Sequence, residues 1–166
     1  MAVDISPRMV ELTKARGIEA HLADVQSLPF GDGEFDCVAA NWVLYHVPDL
    51  DRGLSELERV IRRGGRLVAA TLGAANMQEL WEDLLGGDVT SGLSFAYENG
   101  ETALTPYFTQ IERREANGTV VFPNRGSLVD FVAATTTRSH LADLVPELTE
   151  PFHTRSNHCV FVAGKS

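Results

Sequence analysis

The sequence predicts an α/β fold whose sheet is mostly parallel, with antiparallel strands added late in the chain. The runs FDCVAA (residues 35–40) and RLVAAT (residues 66–71) have the length and apolar content of parallel strands buried on both faces. Between them, apolar residues recur every three or four positions from Leu50 to Ile61, which is typical of an amphipathic helix. A strand, a helix and a parallel strand in this order form a right-handed βαβ unit.

The segment before this unit also alternates between strand and helix. Residues 2–5 read as a strand end, and the Ser-Pro pair at position 6 is suited to start a helix that Gly17 ends. Residues 18–22 predict a second short strand, which the turn-rich run SLPFGDG follows.

Within the central unit, Asp49 is suited to cap the helix, and Arg62 and Gly64 fit its last turn and C-terminal cap. In the second half, the Asn117-Gly118 pair between two strand-like runs predicts a hairpin. Three further elements are expected, namely helices over 77–85 and 127–134 and a last strand over 159–163. With no linker or repeat between them, residues 1–166 are expected to form a single domain.

Composition limits the classes of function. The net charge is −9, and no basic cluster exceeds a pair of arginines, so we expect no nucleic-acid partner. There is no apolar run long enough for a membrane span and no signal-peptide pattern, which predicts a cytoplasmic protein without membrane contact. Cys37 and Cys159 lie in apolar runs and are expected to be buried, reduced thiols. The histidines have no ligand spacing, and we predict no metal site.

Chemistry is expected beyond the carboxyl ends of the strands, where open α/β sheets bind their ligands. Asp4 follows the first predicted strand and Asp24 the second, while Asn41 and Trp42 follow the third. Two carboxylates at successive strand ends can accept hydrogen bonds from hydroxyls or from an exocyclic amine, as a nucleoside-bearing ligand requires. The alternative is that each carboxylate only caps a helix.

Two interpretations also remain open for the loop that follows. His46 can serve as a general base, or it can fix the turn into the helix that Asp49 caps. Trp42 and Tyr45 can stack on a ligand, or they can fill space beneath the loop.

Three stretches together resemble the class I S-adenosylmethionine-dependent methyltransferases, in their small-molecule branch. They are VDISPRMVELTKARG, HLADVQSLPFGDGEFDCVAANWVLYHVPD and LSELERVIRRGGRLVAAT. The likeness covers roughly the first 75 residues and implies a Rossmann-like sheet, S-adenosylmethionine as the cofactor and a small-molecule acceptor. A nicotinamide-dependent oxidoreductase shares the acid at the strand end but is disfavoured, because no Tyr-x-x-x-Lys pair is present.

The resemblance also implies roles for single residues. Asp4 matches the carboxylate that takes the ribose hydroxyls, and Ile5 matches the apolar neighbour of the adenine. Asp24 matches the carboxylate that reads the adenine amino group, and Val25 supplies a backbone contact there. The methionine part would lie near the strand end formed by Asn41 and Trp42, and His46 matches a histidine usual in this loop.

The chain departs from the family pattern at its start. The pattern begins before Asp4 with a strand, a Gly-rich turn and a helix, and here that first βα unit is expected to be missing. Its loss would leave two central strands with open edges, which favours association into a homodimer. Three interpretations follow, namely a fragment of an enzyme, a truncated relative that closes its sheet differently, and a non-catalytic, self-associating module. Acceptor specificity would come from residues 88–106 and 127–151.

Overall fold

A computed structural model describes residues 1–87, 92–135 and 137–166. The chain divides into two compact units. The first unit comprises Met1–Thr71, Ser94–Arg114 and Val160–Ser166, and the second comprises Leu72–Leu93 and Glu115–Cys159. The single domain expected from the sequence stays a prediction. Within the described ranges, every helix is too short or too polar to cross a membrane.

The first unit begins with a strand, a helix and a strand. Strand β1 (Ala2–Asp4) leads into helix α1 (Pro7–Ala15), and β2 (Ala20–Leu22) follows. Strands β1 and β2 pair in parallel and form a two-stranded sheet. The predicted helix signals act as expected, because the Ser6 side chain accepts a hydrogen bond from the Met9 amide at 3.4 Å.

The predicted βαβ unit follows. It consists of β3 (Phe35–Asn41), α2 (Leu50–Val60) and β4 (Ile61–Leu72), and β3 and β4 are parallel. The Asp49 side chain caps α2 by accepting from the Arg52 amide at 3.0 Å. The apolar stripe of the helix is buried as its periodicity predicts, at Leu54, Leu57 and Val60.

Late strands complete this sheet, whose order is β3-β4-β8-β5, with β5 at Gln110–Glu115 and β8 at His158–Gly164. Strand β8 runs antiparallel to β4, because Gly64 bonds to Lys165 whereas Gly73 bonds to Asn157. Helix α3 (Gly100–Leu104) packs its Gly100 against the Phe161 ring of β8, where a Cβ would lie 2.5 Å from a ring carbon. The predicted α/β class and the late antiparallel strands are confirmed.

The second unit has its own hydrophobic core. Its elements are a π-helical turn (Glu79–Leu84), β6 (Gly118–Phe122), α4 (Arg125–Ala133), a 3₁₀ turn (Ser139–Leu144) and β7 (Phe152–Ser156). Strands β6 and β7 pair antiparallel. The buried core is formed by Met77, Leu80, Trp81, Leu85, Phe122, Leu128, Val132, Ala142 and Val145. Of the segment expected to choose the acceptor, residues 88–91 lie outside the described residues.

The predicted end of α2 is wrong. The helix ends at Val60, and Ile61 already pairs with Phe35 as the first residue of β4. The register of this pairing shifts beside Gly65, where an added Cβ would lie 2.8 Å from the Asp36 carbonyl oxygen. Arg62 therefore forms an ion pair with Asp36 on the sheet instead of ending the helix.

The predicted hairpin at Asn117-Gly118 is also wrong. Strand β5 pairs with β8 and strand β6 pairs with β7, so the two strands on either side of this pair do not pair with each other. Neither Asn117 nor Gly118 is among the described residues with positive φ, which the type I′ turn of an Asn-Gly hairpin requires at both positions. Tertiary strand pairing overrides the local turn signal here.

Strand β3 is less buried than its apolar sequence predicts. Ala40 is buried, but most of its other residues are exposed or half-buried, and Cys37 is exposed. The reason is that β4 is its only hydrogen-bonded neighbour among the described strands, so its other edge is open. Cys159 is buried as expected, and neither described cysteine is in a disulfide.

Candidate functional site

A cleft of about 730 Å³ lies in the first unit, where it runs along β1 and β3 and includes the residues that follow β1, β2 and β3. Its lining comes only from residues 1–60 of the chain. The wall along β3 is formed by Cys37, Val38, Ala39 and Ala40, and is therefore mainly apolar. The volume lies within the range of small-molecule and cofactor sites, roughly 300–1,000 Å³.

Asp4 stands where β1 ends and enters this cleft. Its Oδ1 accepts a hydrogen bond from the Ser6 amide at 2.8 Å, and its backbone carbonyl accepts from the Ala23 amide at 3.1 Å. The first bond fixes the carboxylate over the start of α1, and the second ties β1 to the segment after β2. Ile5 follows in the same lining and is 72% exposed, so the cleft offers an uncovered apolar side chain beside a carboxylate.

Asp24 holds the corresponding position after β2. Its Oδ1 accepts from the Gln26 amide at 2.8 Å, and the Gln26 side-chain Nε2 donates to Oδ1 at 3.1 Å and to Oδ2 at 2.9 Å. The backbone bond to Gln26, then its side-chain bond and the nearby positive charge of Arg52, lower the pKa of Asp24. The carboxylate is therefore ionised at neutral pH and accepts hydrogen bonds only.

Gln26 is itself held in place by helix α2. Its side-chain Oε1 accepts from the Asp49 amide at 3.0 Å, and its backbone carbonyl accepts from the Arg52 Nε at 2.8 Å. Sequence analysis missed Gln26. The available signal was a polar residue two positions after an aspartate, which is the spacing of an Asx turn.

The same helix also anchors the loop that follows. Arg59 donates to the backbone carbonyls of Leu28 and Phe30 and to Asp32, while Glu56 accepts from the Leu28 amide at 2.8 Å. Hydrogen bonds from Arg59 lower the pKa of Glu56, so the pair is charged on both sides. This network makes the loop part of the rigid wall of the cleft.

Asn41 is the last residue of β3 and Trp42 follows it, but the two residues differ in their relation to the cleft. Asn41 lines the cleft, whereas Trp42 is not among the lining residues. Trp42 has φ = 52°, a left-handed conformation that is rare for a bulky side chain, and its amide donates to the Ala70 carbonyl at 2.8 Å. Such local backbone strain clusters at functional sites, although it does not identify one by itself.

His46 lies at the end of a 3₁₀ turn (Leu44–His46) and also lines the cleft. Its ring lies beside the Tyr45 ring, with centroids 4.4 Å apart. Tyr45 is half-buried, and this burial raises the pKa of its hydroxyl, whereas the His46 side chain is exposed. The position of His46 is compatible with contact to a bound molecule.

The cleft is therefore lined by most of the residues that the sequence singled out. Six of the seven line it, namely Asp4, Ile5, Asp24, Val25, Asn41 and His46, while Trp42 does not. Two carboxylates, apolar side chains and an amide suit a ligand that combines hydroxyls, an amine and an apolar ring. Among the described residues, no group of three or more His, Cys, Asp or Glu side chains could hold a metal ion.

Comparisons with known proteins agree with this chemistry. A family model described as a methyltransferase domain matches residues 1–69. Malonyl-[acyl-carrier protein] O-methyltransferase from Serratia marcescens is 33% identical over 90 residues, 51% of this chain and 35% of that protein. Demethylmenaquinone methyltransferase from Mycolicibacterium vanbaalenii is 43% identical over 68 residues, 41% of this chain and 30% of that protein. The matched stretches thus make up about a third of those relatives.

A solved structure is similar over nearly the whole chain. It is an S-adenosylmethionine-dependent methyltransferase from Thermotoga maritima, with a TM-score of 0.63 and 18% identity, covering 99% of this chain and 72% of that one. At this identity the likeness establishes the fold, which is the Rossmann-like fold of methyltransferases. Residues 1–69 thus match a methyltransferase domain, and the chain has the fold of the class I S-adenosylmethionine-dependent methyltransferases. The cofactor of the class is S-adenosylmethionine.

Proposed function

We propose that this chain transfers a methyl group from S-adenosylmethionine to a small-molecule acceptor. The observation that supports this most is the single cleft that contains both strand-end carboxylates, Asp4 and Asp24. Its volume of about 730 Å³ and its apolar β3 wall fit a nucleoside-bearing ligand. A cytoplasmic location is part of the proposal.

The lining residues that the sequence singled out then have defined tasks. Asp4 accepts the ribose hydroxyls, and Asp24 accepts the adenine amino group. Ile5 packs against the adenine, and Val25 supplies a backbone contact to it. Asn41, at the end of β3, faces the methionine part. These contacts orient the ligand, and orientation is the main way in which a protein assists an in-line displacement.

Two further residues complete the proposed site. Trp42 also contacts the methionine part in this proposal, which requires its side chain to turn toward the cleft. The bound cofactor supplies the electrophilic methyl group. His46 acts as the general base that accepts a proton from acceptors that must lose one.

The acceptor is set by other parts of the chain. The two named relatives have different acceptors in their names, a malonyl-carrier protein and demethylmenaquinone, and they match this chain over 90 and 68 residues. A stretch shared by enzymes with different acceptors is suited to their common cofactor. Residues 88–106 and 127–151 are the segments we propose to select the acceptor.

Substitutions of Asp4 test the cofactor site. Asp4→Ala removes the carboxylate together with the oxygen that accepts from the Ser6 amide, whereas Asp4→Asn keeps that oxygen and loses the charge. We expect both variants to bind S-adenosylhomocysteine about 10–100-fold more weakly in calorimetric titrations, because hydrogen bonds to a charged group contribute about 1.5–3 kcal/mol.

The matched control is Asp36→Asn. Asp36 lies on β3 and pairs with Arg62 but does not line the cleft, so its loss should leave the affinity unchanged. Wild-type affinity in Asp4→Asn would contradict the assignment of Asp4.

One observation favours a second candidate function, a non-catalytic module that associates with itself. Strands β1 and β3 each have one hydrogen-bonded neighbour among the described strands, and residues of both strands line the cleft. Open strand edges favour pairing with another chain. Light scattering after size exclusion would give a stable dimer that does not bind S-adenosylhomocysteine if this candidate is correct, and a monomer would contradict it.

A further inference from the structure

Gln26 connects the cleft to helix α2 through both ends of its side-chain amide. Its Nε2 donates to the two carboxylate oxygens of Asp24, and its Oε1 accepts from the Asp49 amide at the start of α2. The backbone carbonyl of Gln26 is also bound, by the Arg52 Nε. The amide therefore has partners for both its donor and its acceptor, and its orientation is fixed by them.

These bonds leave a defined part of the Asp24 carboxylate for a ligand. A carboxylate has about four lone-pair sites. Oδ1 accepts from the backbone amide and from Nε2 of Gln26, whereas Oδ2 accepts from Nε2 at 2.9 Å. Oδ2 can therefore accept one more hydrogen bond. The bonds to Gln26 fix the plane of the Asp24 carboxylate, and with it the direction from which a ligand donor must approach.

We propose that Gln26 is a positioning residue for the adenine amino group, because it fixes the Asp24 carboxylate and joins it to the start of helix α2. This inference rests on the proposed function of the cleft. Gln26 acts through Asp24, and the two residues together with His46 line one cleft. Gln26 also lowers the pKa of Asp24, first through its backbone amide and then through its side chain.

The test compares two isosteric substitutions. Gln26→Met keeps the length of the side chain and removes its hydrogen bonds. Gln78→Met is the matched control, because Gln78 in the second unit also donates its amide to a carboxylate, that of Glu82 at 2.7 Å, and does not line the cleft. We expect Gln26→Met to weaken S-adenosylhomocysteine binding about tenfold at neutral pH, and the control to leave it unchanged.

A pH profile separates positioning from general damage to the fold. A carboxylate with a lowered pKa stays ionised, and so accepts the amine, down to a lower pH. Gln26→Met removes the side-chain bonds but keeps the backbone bond that lowers the pKa of Asp24 most, so this pKa rises only part of the way and the affinity should begin to fall at a somewhat higher pH than in the wild type. Arg52 still lowers this pKa in both proteins. Further titratable groups around this site are Asp49, which caps α2, and Asp4, Cys37 and His46 in the lining of the cleft.

The pKa of Asp24 can also be measured without any ligand, by following its carboxyl carbon by NMR. An upward shift in Gln26→Met, together with the loss of affinity, is the expected result. An unchanged Asp24 pKa, or an unchanged affinity in a variant of a binding wild type, would overturn this inference. A folded wild type that does not bind S-adenosylhomocysteine would instead overturn the proposed function.

Discussion

Asp24 in the first unit and Glu79 in the second both have a lowered pKa, but they differ in their surroundings. Glu79 accepts hydrogen bonds from Thr154 Oγ1 at 3.0 Å and from the Arg155 amide at 3.1 Å, and it forms an ion pair with the Arg155 side chain. Asp24 is bound by Gln26 and lines an open cleft.

The comparison shows that a lowered pKa alone does not distinguish a binding carboxylate from a structural one. Glu79 lies in the π-helical turn and binds residues of strand β7, so its hydrogen bonds join two elements of the second unit. Asp24 takes its partner from two residues away and lines the cleft. Access to a cavity, in addition to its charge, makes the Asp24 carboxylate a candidate binding group.

Within this comparison, the largest effect on cofactor affinity is expected from Asp24→Ala. The substitution removes the acceptor for the amino group of the ligand, and the affinity for S-adenosylhomocysteine should fall about 10–100-fold. Asp24 is exposed, so the melting temperature should change little. Titration calorimetry and thermal melting of the same samples check both statements. An unchanged affinity for S-adenosylhomocysteine would contradict the assignment of Asp24 as a binding carboxylate, in contrast to the structural carboxylate of Glu79.

Glu79→Ala should have the opposite outcome. It leaves the Arg155 amide and the buried Thr154 hydroxyl without their acceptor, which should lower the free energy of unfolding by about 1–3 kcal/mol. Urea denaturation measures this loss. Since Glu79 does not line the cleft, the affinity for S-adenosylhomocysteine should stay unchanged, and a parallel loss of affinity would contradict the assignment.

The pH dependence of stability should also report on Glu79. Its own backbone amide, the Arg155 amide and side chain, and Thr154 lower the pKa of Glu79 from 4.5 to about 2. A carboxyl whose pKa is lower in the folded state stabilises the fold above its ordinary pKa, and this contribution is lost as the pH falls from about 4.5 toward 2. Urea denaturation of Glu79→Gln over this range should show a shallower pH dependence than the wild type, and an identical slope would contradict the assignment.

His46→Ala should separate binding from chemistry. The side chain is exposed at the rim of the cleft, so we expect S-adenosylhomocysteine to bind with wild-type affinity. Methyl transfer to an acceptor that must lose a proton should fall by about 10²-fold or more, because general base catalysis contributes on that order. Wild-type turnover would return His46 to a role in the turn before α2.

The smallest effect concerns the two cysteines. Cys37 is exposed and lines the cleft, whereas Cys159 is buried, so a thiol reagent should modify one cysteine per folded chain rapidly. S-adenosylhomocysteine should slow this modification several-fold by covering the β3 wall. Mass spectrometry of the labelled chain measures both rates, and an unaffected rate at Cys37 would place the ligand elsewhere.

Much of the first unit could be predicted from sequence, since its order is carried by local signals. Ser6 and Asp49 cap their helices, and the stripe through Leu54 and Leu57 is buried. Because strand ends follow from these elements, six of the seven singled-out residues also come together in one cleft.

The remaining features depend on pairing between distant segments. The Asn117-Gly118 pair does not form a hairpin, because β5 pairs with β8 and β6 pairs with β7. The end of α2 is set by the pairing of Ile61 with Phe35. The exposure of Cys37 results from an open strand edge, which no local pattern reveals. Gln26 was missed because its importance lies in contacts with helix α2.

The most direct test of the account is calorimetric titration of the 166-residue chain with S-adenosylhomocysteine. We predict one binding event per chain with a micromolar dissociation constant, weakened about 10–100-fold in Asp4→Asn and unchanged in Asp36→Asn. The absence of binding heat at several temperatures, in a protein that circular dichroism shows to be folded, would contradict the central claim that this cleft holds the cofactor.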